Sequence, residues 1–333
     1  MPVGDKDLKS TFVFAALIAC ALWGCSKPAE TTAASSGLPV KFATDWRAEA
    51  EQGGFYQALA NGEYAKRGLN VTIISGGPGT NVPQLLAAGA VQLGVGSNGF
   101  VVMNLAAENV PVNAVAAFMQ KDPQVLIAHP GTGVKTLADL KGHPILLSDA
   151  SVGAFWLWLK AKYSLTDSQV RKYTSNSAPF LADPRVVQQG YITSEPYTIE
   201  KAAGFKPVVM LLADEGYPGY ADMVLSSTDF EKMHPEAVRA FVAASRAGWI
   251  SYLGGDPRPG DRLIMKNNPE MTEDILTQAR DKMRGAGIVG ADPGRMTDAR
   301  WVEFFQMASG HGIYPKSLDY HRAYTLQFMS AAP

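Results

Sequence analysis

Short apolar runs alternate with helix-periodic stretches along most of the chain. Val40–Thr44 reads as a strand, Gly54–Arg67 as a helix stopped by Gly68, and Asn70–Ile74 as a second strand. Helix Val82–Ala88, strand Val91–Gly96, a helix opened by Ser97-Asn98-Gly99 and strand Val112–Phe118 continue the rhythm. From Val125 it restarts, with strand Val125–Ala128, short helix Lys135–Leu140, strand Ile145–Ser148 and helix Gly153–Tyr163. Further strands are predicted at Val170–Thr174, Tyr191–Thr193, Val208–Leu212 and Met223–Ser226. After Pro235 the pattern turns mainly helical, over Pro235–Leu253, Glu273–Arg284, Asp298–Ser309 and Tyr320–Met329.

Repeated strand–helix units predict an α/β fold whose parallel or mixed sheets are covered on both faces. In such sheets ligands bind outside the carboxyl ends of strands, where the chain turns into a helix. Four strand ends are polar: Thr44-Asp45-Trp46, Ser97-Asn98, Ser148-Asp149-Ala150-Ser151 and Thr193-Ser194-Glu195. They come from both halves of the pattern and are expected to face one cleft. The first is the most unusual, because a strand delivers a tryptophan and then Glu49, Glu51 and Gln52 to the mouth of a helix. Trp46 lies among loop residues, where an indole is less readily used for packing alone. Phe155, Trp156 and Trp158 lie on a helix, where core packing is the ordinary use of aromatic rings. Glu195 precedes Pro196 after the short strand, so helix capping competes with ligand contact there. The candidate ligand-binding residues are Asp45, Trp46, Gln52, Tyr56, Ser97, Asn98, Asp149, Ser151, Trp156, Glu195, Tyr197 and Asp222.

The composition narrows the classes of function. The chain has 333 residues, 47% hydrophobic and 18% charged, with net charge −1, which suits two compact lobes. Without a Lys/Arg-rich run, nucleic acid is not an expected partner. His129, His143, His234, His311 and His321 show no ligand spacing, so no metal and no cofactor are expected. "GGPGTN" lacks the Gly-Lys-Ser/Thr ending of a phosphate loop, "LGVGSNG" fails the dinucleotide spacing, and no G-x-S-x-G elbow occurs. Enzyme signatures are absent.

The amino terminus differs from the rest. Lys6 and Lys9 precede the apolar run Phe12–Trp23, which ends in Leu-Trp-Gly-Cys. The run is shorter than the roughly 20 apolar residues of a spanning helix and resembles the signal and lipobox of bacterial lipoproteins. Residues 1–24 are expected to be a signal peptide, Cys25 a lipidated residue, and 25–38 a flexible tether. Cys20, the only other cysteine, falls in the signal segment, so the mature domain is expected to lack disulfides.

Five segments carry a family resemblance: "DWRAEAEQGGFYQALANGEYAKRGLNVTI", "QLLAAGAVQLGVGS", "TLADLKGHPILL", "GYITSEPY" and "TDFEKMHPEAVRAFVAAS". Over about Val40–Met329 the chain resembles the substrate-binding proteins of ABC importers, in the branch that shares its fold with fungal-type thiamine-pyrimidine synthase. The resemblance implies a two-lobed periplasmic-binding-protein type II fold, with a hinge between mixed-sheet lobes at 39–120 plus 221–333 and at 121–220. It implies a monomeric receptor that hands a small solute to a permease and its ATPase. The location implied is the periplasm or the outer face of the cytoplasmic membrane, where a lipid anchor retains it.

The synthase itself is the competing activity. Its pyridoxal-phosphate lysine and its substrate histidine fall on Gly96 and Phe100, and a second histidine falls on Gln52. Its cysteine-rich run falls near Gly216–Ala221. Without the amine and the imidazole that chemistry does not run. Relatives bind thiamine pyrimidine precursors, riboflavin, sulfonates, nitrate or aromatic acids. The strand ends offer Asp45, Glu49, Glu51, Asp149 and Glu195, with Asp214, Glu215 and Asp222 nearby and Arg47 as the main exception. That balance favours a neutral or cationic nitrogen heterocycle, with a thiamine-type aminopyrimidine first.

Overall fold

The computed structural model describes residues 37–329. The expected signal segment, Cys25 and most of the tether lie outside them. Leu38, counted in the tether, already pairs with Leu69.

Among the described residues, ten strands form two five-stranded sheets. The first sheet holds β1 (Leu38–Ala43), β2 (Leu69–Ile74), β3 (Leu93–Asn98), β4 (Val112–Met119) and, last in sequence, β10 (Ala221–Ser227). The second holds β5 (Gln124–Ala128), β6 (Ile145–Leu147), β7 (Val170–Lys172), β8 (Val187–Tyr191) and β9 (Val208–Leu211). Their orders are β2-β1-β3-β10-β4 and β7-β6-β8-β5-β9. In each sheet a strand next to a crossing between the sheets runs antiparallel to its neighbours: β10 to β3 and β4, and β5 to β8 and β9. This is the two-lobed type II architecture. The chain passes between the sheets twice, after β4 and after β9.

The central strands are apolar almost throughout, as strands covered on both faces must be. Seven of the eight residues of β4 are buried, and six of the seven of β10. One apolar cluster covers one face of each sheet and runs through both lobes. Two others cover the opposite faces, one in each lobe. Tyr217, on the second crossing, joins the lobes within the shared cluster. Its ring lies 5.2 Å from Trp158 and 6.3 Å from Phe100.

Gly53 and Gly54, paired at the start of the helix after β1, serve helix packing. A Cβ on Gly53 would come within 2.0 Å of Tyr252, and one on Gly54 within 2.1 Å of Trp249. Gly248 in turn approaches the Gly54 carbonyl. Helices Gly53–Ala60 and Pro235–Gly254 therefore cross at close backbone range, which fixes where Glu49–Gln52 enter the fold.

Some elements depart from the pattern reading. The strand expected at Tyr191–Thr193 lies upstream, at Val187–Tyr191. Polar Gln188 and Gln189 hide its alternation, although Gln188 is buried and its amide donates to Ser177 at 3.0 Å. The helix expected at Tyr320–Met329 is one short turn, Tyr320–Ala323. Beyond it the Thr325 amide bonds the Ala114 carbonyl at 2.9 Å, and Tyr324 stacks on Trp301 at 4.9 Å. Contact with the edge strand β4 outweighs helix propensity there. The helix after β1 ends at Ala60, before Gly62 turns the chain with φ 68°. Helix Arg258–Asn267 had no expectation.

Candidate functional site

The loop after β1 is pinned before it delivers its polar residues. The Thr44 hydroxyl donates to the Trp46 carbonyl at 2.7 Å and accepts from the Gly76 amide at 3.0 Å. Gly76 is needed at this close approach, because a Cβ there would lie 2.3 Å from the Thr44 carbonyl oxygen. A short turn, Ala50–Gln52, follows and is closed reciprocally: the Gln52 side chain accepts from the Glu49 amide at 3.1 Å. Asp45, Trp46, Glu49 and Glu51 are thereby held on one rigid approach to helix Gly53–Ala60.

Strand pairing brings the next residues alongside. β10 enters the sheet with Ala221 opposite Asn98 and Met223 opposite Gly96, which sets Asp222 level with Ser97. Ser97 favours the ionised Asp45 carboxyl, against the effect of burial. Asn98 closes the start of helix Gly99–Ala107, its side chain accepting from the Phe100 amide at 3.0 Å.

From the second lobe, the turn after β8 carries Thr193 and Glu195. Glu195 is the first residue of helix Glu195–Ala203, but its carboxylate turns back toward β8. One oxygen accepts from the Tyr191 amide at 2.8 Å and the other from the Tyr173 hydroxyl at 3.3 Å. Gly190 makes room for this, since a Cβ there would lie 2.8 Å from the Glu195 Cβ. Thr193 donates to Glu51 across the lobes, and the Gln278 amide donates to the Thr193 carbonyl. A second tie joins the Tyr197 hydroxyl to Asp274 at 2.9 Å, with Lys201 on the same carboxylate.

Five carboxylates thus lie between the sheets, and their environment keeps them reluctant to ionise. Burial pushes Asp45 up to about 6, with Ser97 opposing. Burial likewise pushes Glu195 up to about 6, against the Tyr191 amide and with Glu51 adding repulsion. Burial and then Glu51 and Glu195 hold Glu49 well above the carboxylate range, opposed by Trp46 and Arg47. Burial raises Glu51, opposed by Thr193. Burial and then Asp45 and Glu51 hold Asp222 well above its usual value. Asp45, Glu49 and Glu195 keep part of their surface accessible although protein surrounds them. Arg47, the basic group acting on Glu49, is exposed and paired with Glu270 at 3.0 Å. Among the described residues no basic side chain is ion-paired with Asp45, Glu49, Glu51, Asp222 or Glu195, which form a buried group of acids.

Several sequence candidates fall elsewhere. Asp149 is a surface residue paired with Lys172 at 3.0 Å, its side chain 82% exposed. Trp156 is fully buried, and its indole donates to Asp167 at 2.8 Å, beside the start of β7 and not at a strand's carboxyl end. Helix periodicity aims that ring into the core, so both assignments are corrected. Ser151 is buried and hydrogen-bonded to Ser148 at 3.0 Å. Tyr56 is buried with its hydroxyl unpartnered. Glu49 and Glu51 were read as part of the acidic balance but not as site residues. Tyr173, Tyr191, Thr193 and Gln278 were missed as site residues. "GYITSEPY" contains two of these, and its aromatic and hydroxyl residues beside a carboxylate were the available signal.

The sequence pattern of the NMT1/THI5-like family matches residues 49–258. The chain belongs to the NMT1/THI5-like family. No curated protein matches it by sequence. Among solved structures, it is similar to the periplasmic aliphatic sulphonate-binding protein SsuA from Escherichia coli. The TM-score is 0.67 at 13% identity, over 90% of this chain and 96% of that one. The alkanesulfonate-binding protein SsuA from Xanthomonas axonopodis pv. citri, bound to MOPS, has TM-score 0.65 at 13% identity, over 88% and 100%. The desulfurization enzyme DszB has TM-score 0.56 at 14% identity, over 87% and 97%. At these identities the likeness is one of fold. Within the family frame, the two positions aligned with synthase chemistry lie in packed surroundings. A Cβ on Gly96 would meet Leu225 at 2.9 Å, and Phe100 packs edge-on against Phe304 at 4.9 Å.

Proposed function

We propose that the chain is an extracytoplasmic solute receptor of an ABC importer, binding a nitrogenous aromatic heterocycle such as a thiamine pyrimidine precursor. The observation that carries this reading is the pairing of Asp45, Glu49, Glu51 and Asp222 from one sheet with Glu195 from the other. An ionised carboxylate only accepts hydrogen bonds, so the group suits ligand edges rich in N–H donors. Trp46, half-buried beside Glu49, offers a face for stacking. In this reading lobes 39–120 plus 221–333 and 121–220 close on the solute. Cys25 carries the lipid anchor, and a monomer delivers cargo to the permease without catalysis.

Sulfonate uptake is the second reading, because the names of the SsuA neighbours record sulfonate binding. An anion among five carboxylates meets repulsion at short range in a low-dielectric cleft, which disfavours it. An enzyme reading draws on the DszB likeness alone. Calorimetric titration with the hydroxymethyl aminopyrimidine of thiamine and with an alkanesulfonate separates the readings. Saturable binding of the aminopyrimidine, one per chain, is expected. Binding of the sulfonate alone reverses the assignment.

A further inference from the structure

Asp222 is the polar residue that packing explains least. It enters β10 level with Ser97, is 5% exposed, and has an Oδ2 without a hydrogen-bond partner. Its φ of 47° lies in the left-handed region, which aspartate and asparagine tolerate better than most side chains. The charged groups facing it are Asp45 from the β1 loop and Glu51 from the turn that follows, both of its own sign. Tyr64 of the first lobe and Tyr191 at the end of β8 feel its charge. A buried acid beside two others, with one oxygen unused, leaves a position for a donor that none of the described residues supplies.

Resting on the receptor reading, we infer that the cleft takes a solute bearing a positively charged nitrogen, and that Asp222 together with Asp45 receives that charge. Among the described residues no three Asp, Glu, His or Cys side chains converge to hold a metal ion. The acids come from both lobes, Asp222 on β10 of the first sheet and Glu195 after β8 of the second, with Glu51 acting on both. Acids contributed by separate elements suit an organic cation with N–H donors at separate positions, such as an amine, an amidine or a protonated heterocycle. A neutral solute offers hydrogen bonds but leaves the like-charge repulsion uncompensated, and an anion adds to it. Because burial and its neighbours favour the protonated Asp222, cation binding displaces protons to solvent and strengthens as pH rises.

Three probes of matched shape test the charge: benzamidine, benzamide and benzenesulfonate, each measured by thermal shift on the full chain at about pH 7.5 and about pH 5. Benzamidine is expected to raise the melting temperature, more at the higher pH, while the other two do not. In Asp222→Asn, which keeps shape and backbone preference, benzamidine affinity falls about tenfold or more. The same variant without ligand melts at or above the wild-type temperature at the higher pH, because a like charge is gone. Asp149→Asn, on the surface, changes neither quantity. The inference is overturned by no benzamidine shift, by a shift from benzamide or benzenesulfonate instead, or by unchanged benzamidine affinity in Asp222→Asn. A benzenesulfonate or benzamide shift leaves the receptor reading standing. That reading fails separately, if no small molecule of any charge binds or is released on denaturation.

Discussion

Thr193 donates its hydroxyl to Glu51, joining the two lobes through a buried pair of side chains whose residues are 1% and 4% exposed. Glu51 also acts on Asp222 and Glu195, so this bond links the contact between the lobes to the group of buried carboxylates. Thr193→Val keeps shape and removes the donor. Leaving a buried acceptor unsatisfied costs about 1–3 kcal/mol, here charged to the closed state alone. Ligand release is expected to accelerate by about tenfold with little change in association. Stopped-flow tryptophan fluorescence checks it, and an unchanged release rate contradicts the tie.

The pH dependence of the unliganded protein follows from the raised carboxylates. Asp45 and Glu195, at about 6 in the fold, titrate near 4 in an unfolded chain. A group whose folded value is raised binds more protons in the fold, so its stabilising contribution is present below the unfolded value. That contribution is lost as pH rises through the folded one. The unliganded protein should therefore melt at higher temperature near pH 5 than near pH 7, and ligand should narrow the difference. Calorimetric melts across this range are the check. A melting temperature that climbs steadily from pH 5 to pH 7 would sink the idea.

Gly190 gives a test of Glu195 that leaves the carboxylate in the sequence. An added Cβ would crowd both the Glu195 Cβ at 2.8 Å and its Oε2 at 2.9 Å, so Gly190→Ala should displace the side chain. Glu195→Gln keeps size but adds a competing donor. Both variants are expected to bind the aminopyrimidine about tenfold or more weakly by titration. If Glu195 serves only the start of its helix, Glu195→Gln lowers the unliganded melting temperature and spares affinity.

The anchor is tested at Cys25. Two or more acyl chains hold a protein durably at a membrane where one chain binds marginally. Cys25→Ala should move the protein out of the membrane fraction or leave the signal uncleaved. An unmodified wild-type residue 25 in peptide mass mapping refutes the expectation.

The architecture was legible because strand and helix periods alternate cleanly, and Gly68, Pro235 and the polar strand ends punctuate them. β8 was misplaced since Gln188 and Gln189 carry polarity into a buried strand, where the Gln188 amide donates to Ser177 and Gln189 accepts from the Ser148 amide, bonds that no local pattern reveals. The tail after Tyr320 looked helical, but its backbone partner, Ala114, lies far back in the chain. Asp45, Trp46, Ser97, Glu195 and Asp222 were picked out by their positions at or beside strand ends, and the acids among them lie within one buried group. Asp149 shares that position yet points to solvent, because the first turn of a helix has an outward face. Tyr191 and Thr193 were overlooked as site residues because they sat inside an expected strand. Glu51, a partner of Thr193, acquires its role only when the lobes meet.

One basic-nitrogen solute is proposed to sit between the two sheets, held by carboxylates of both. Mass spectrometry of the small molecules released on denaturing the protein purified from its own cells tests this most directly. The account predicts one compound near one equivalent per chain, carrying a protonatable nitrogen, and strongly depleted from the Asp222→Asn, Glu195→Gln double variant. Equal retention of the compound by that variant, or a sulfonate as the compound released, would contradict it.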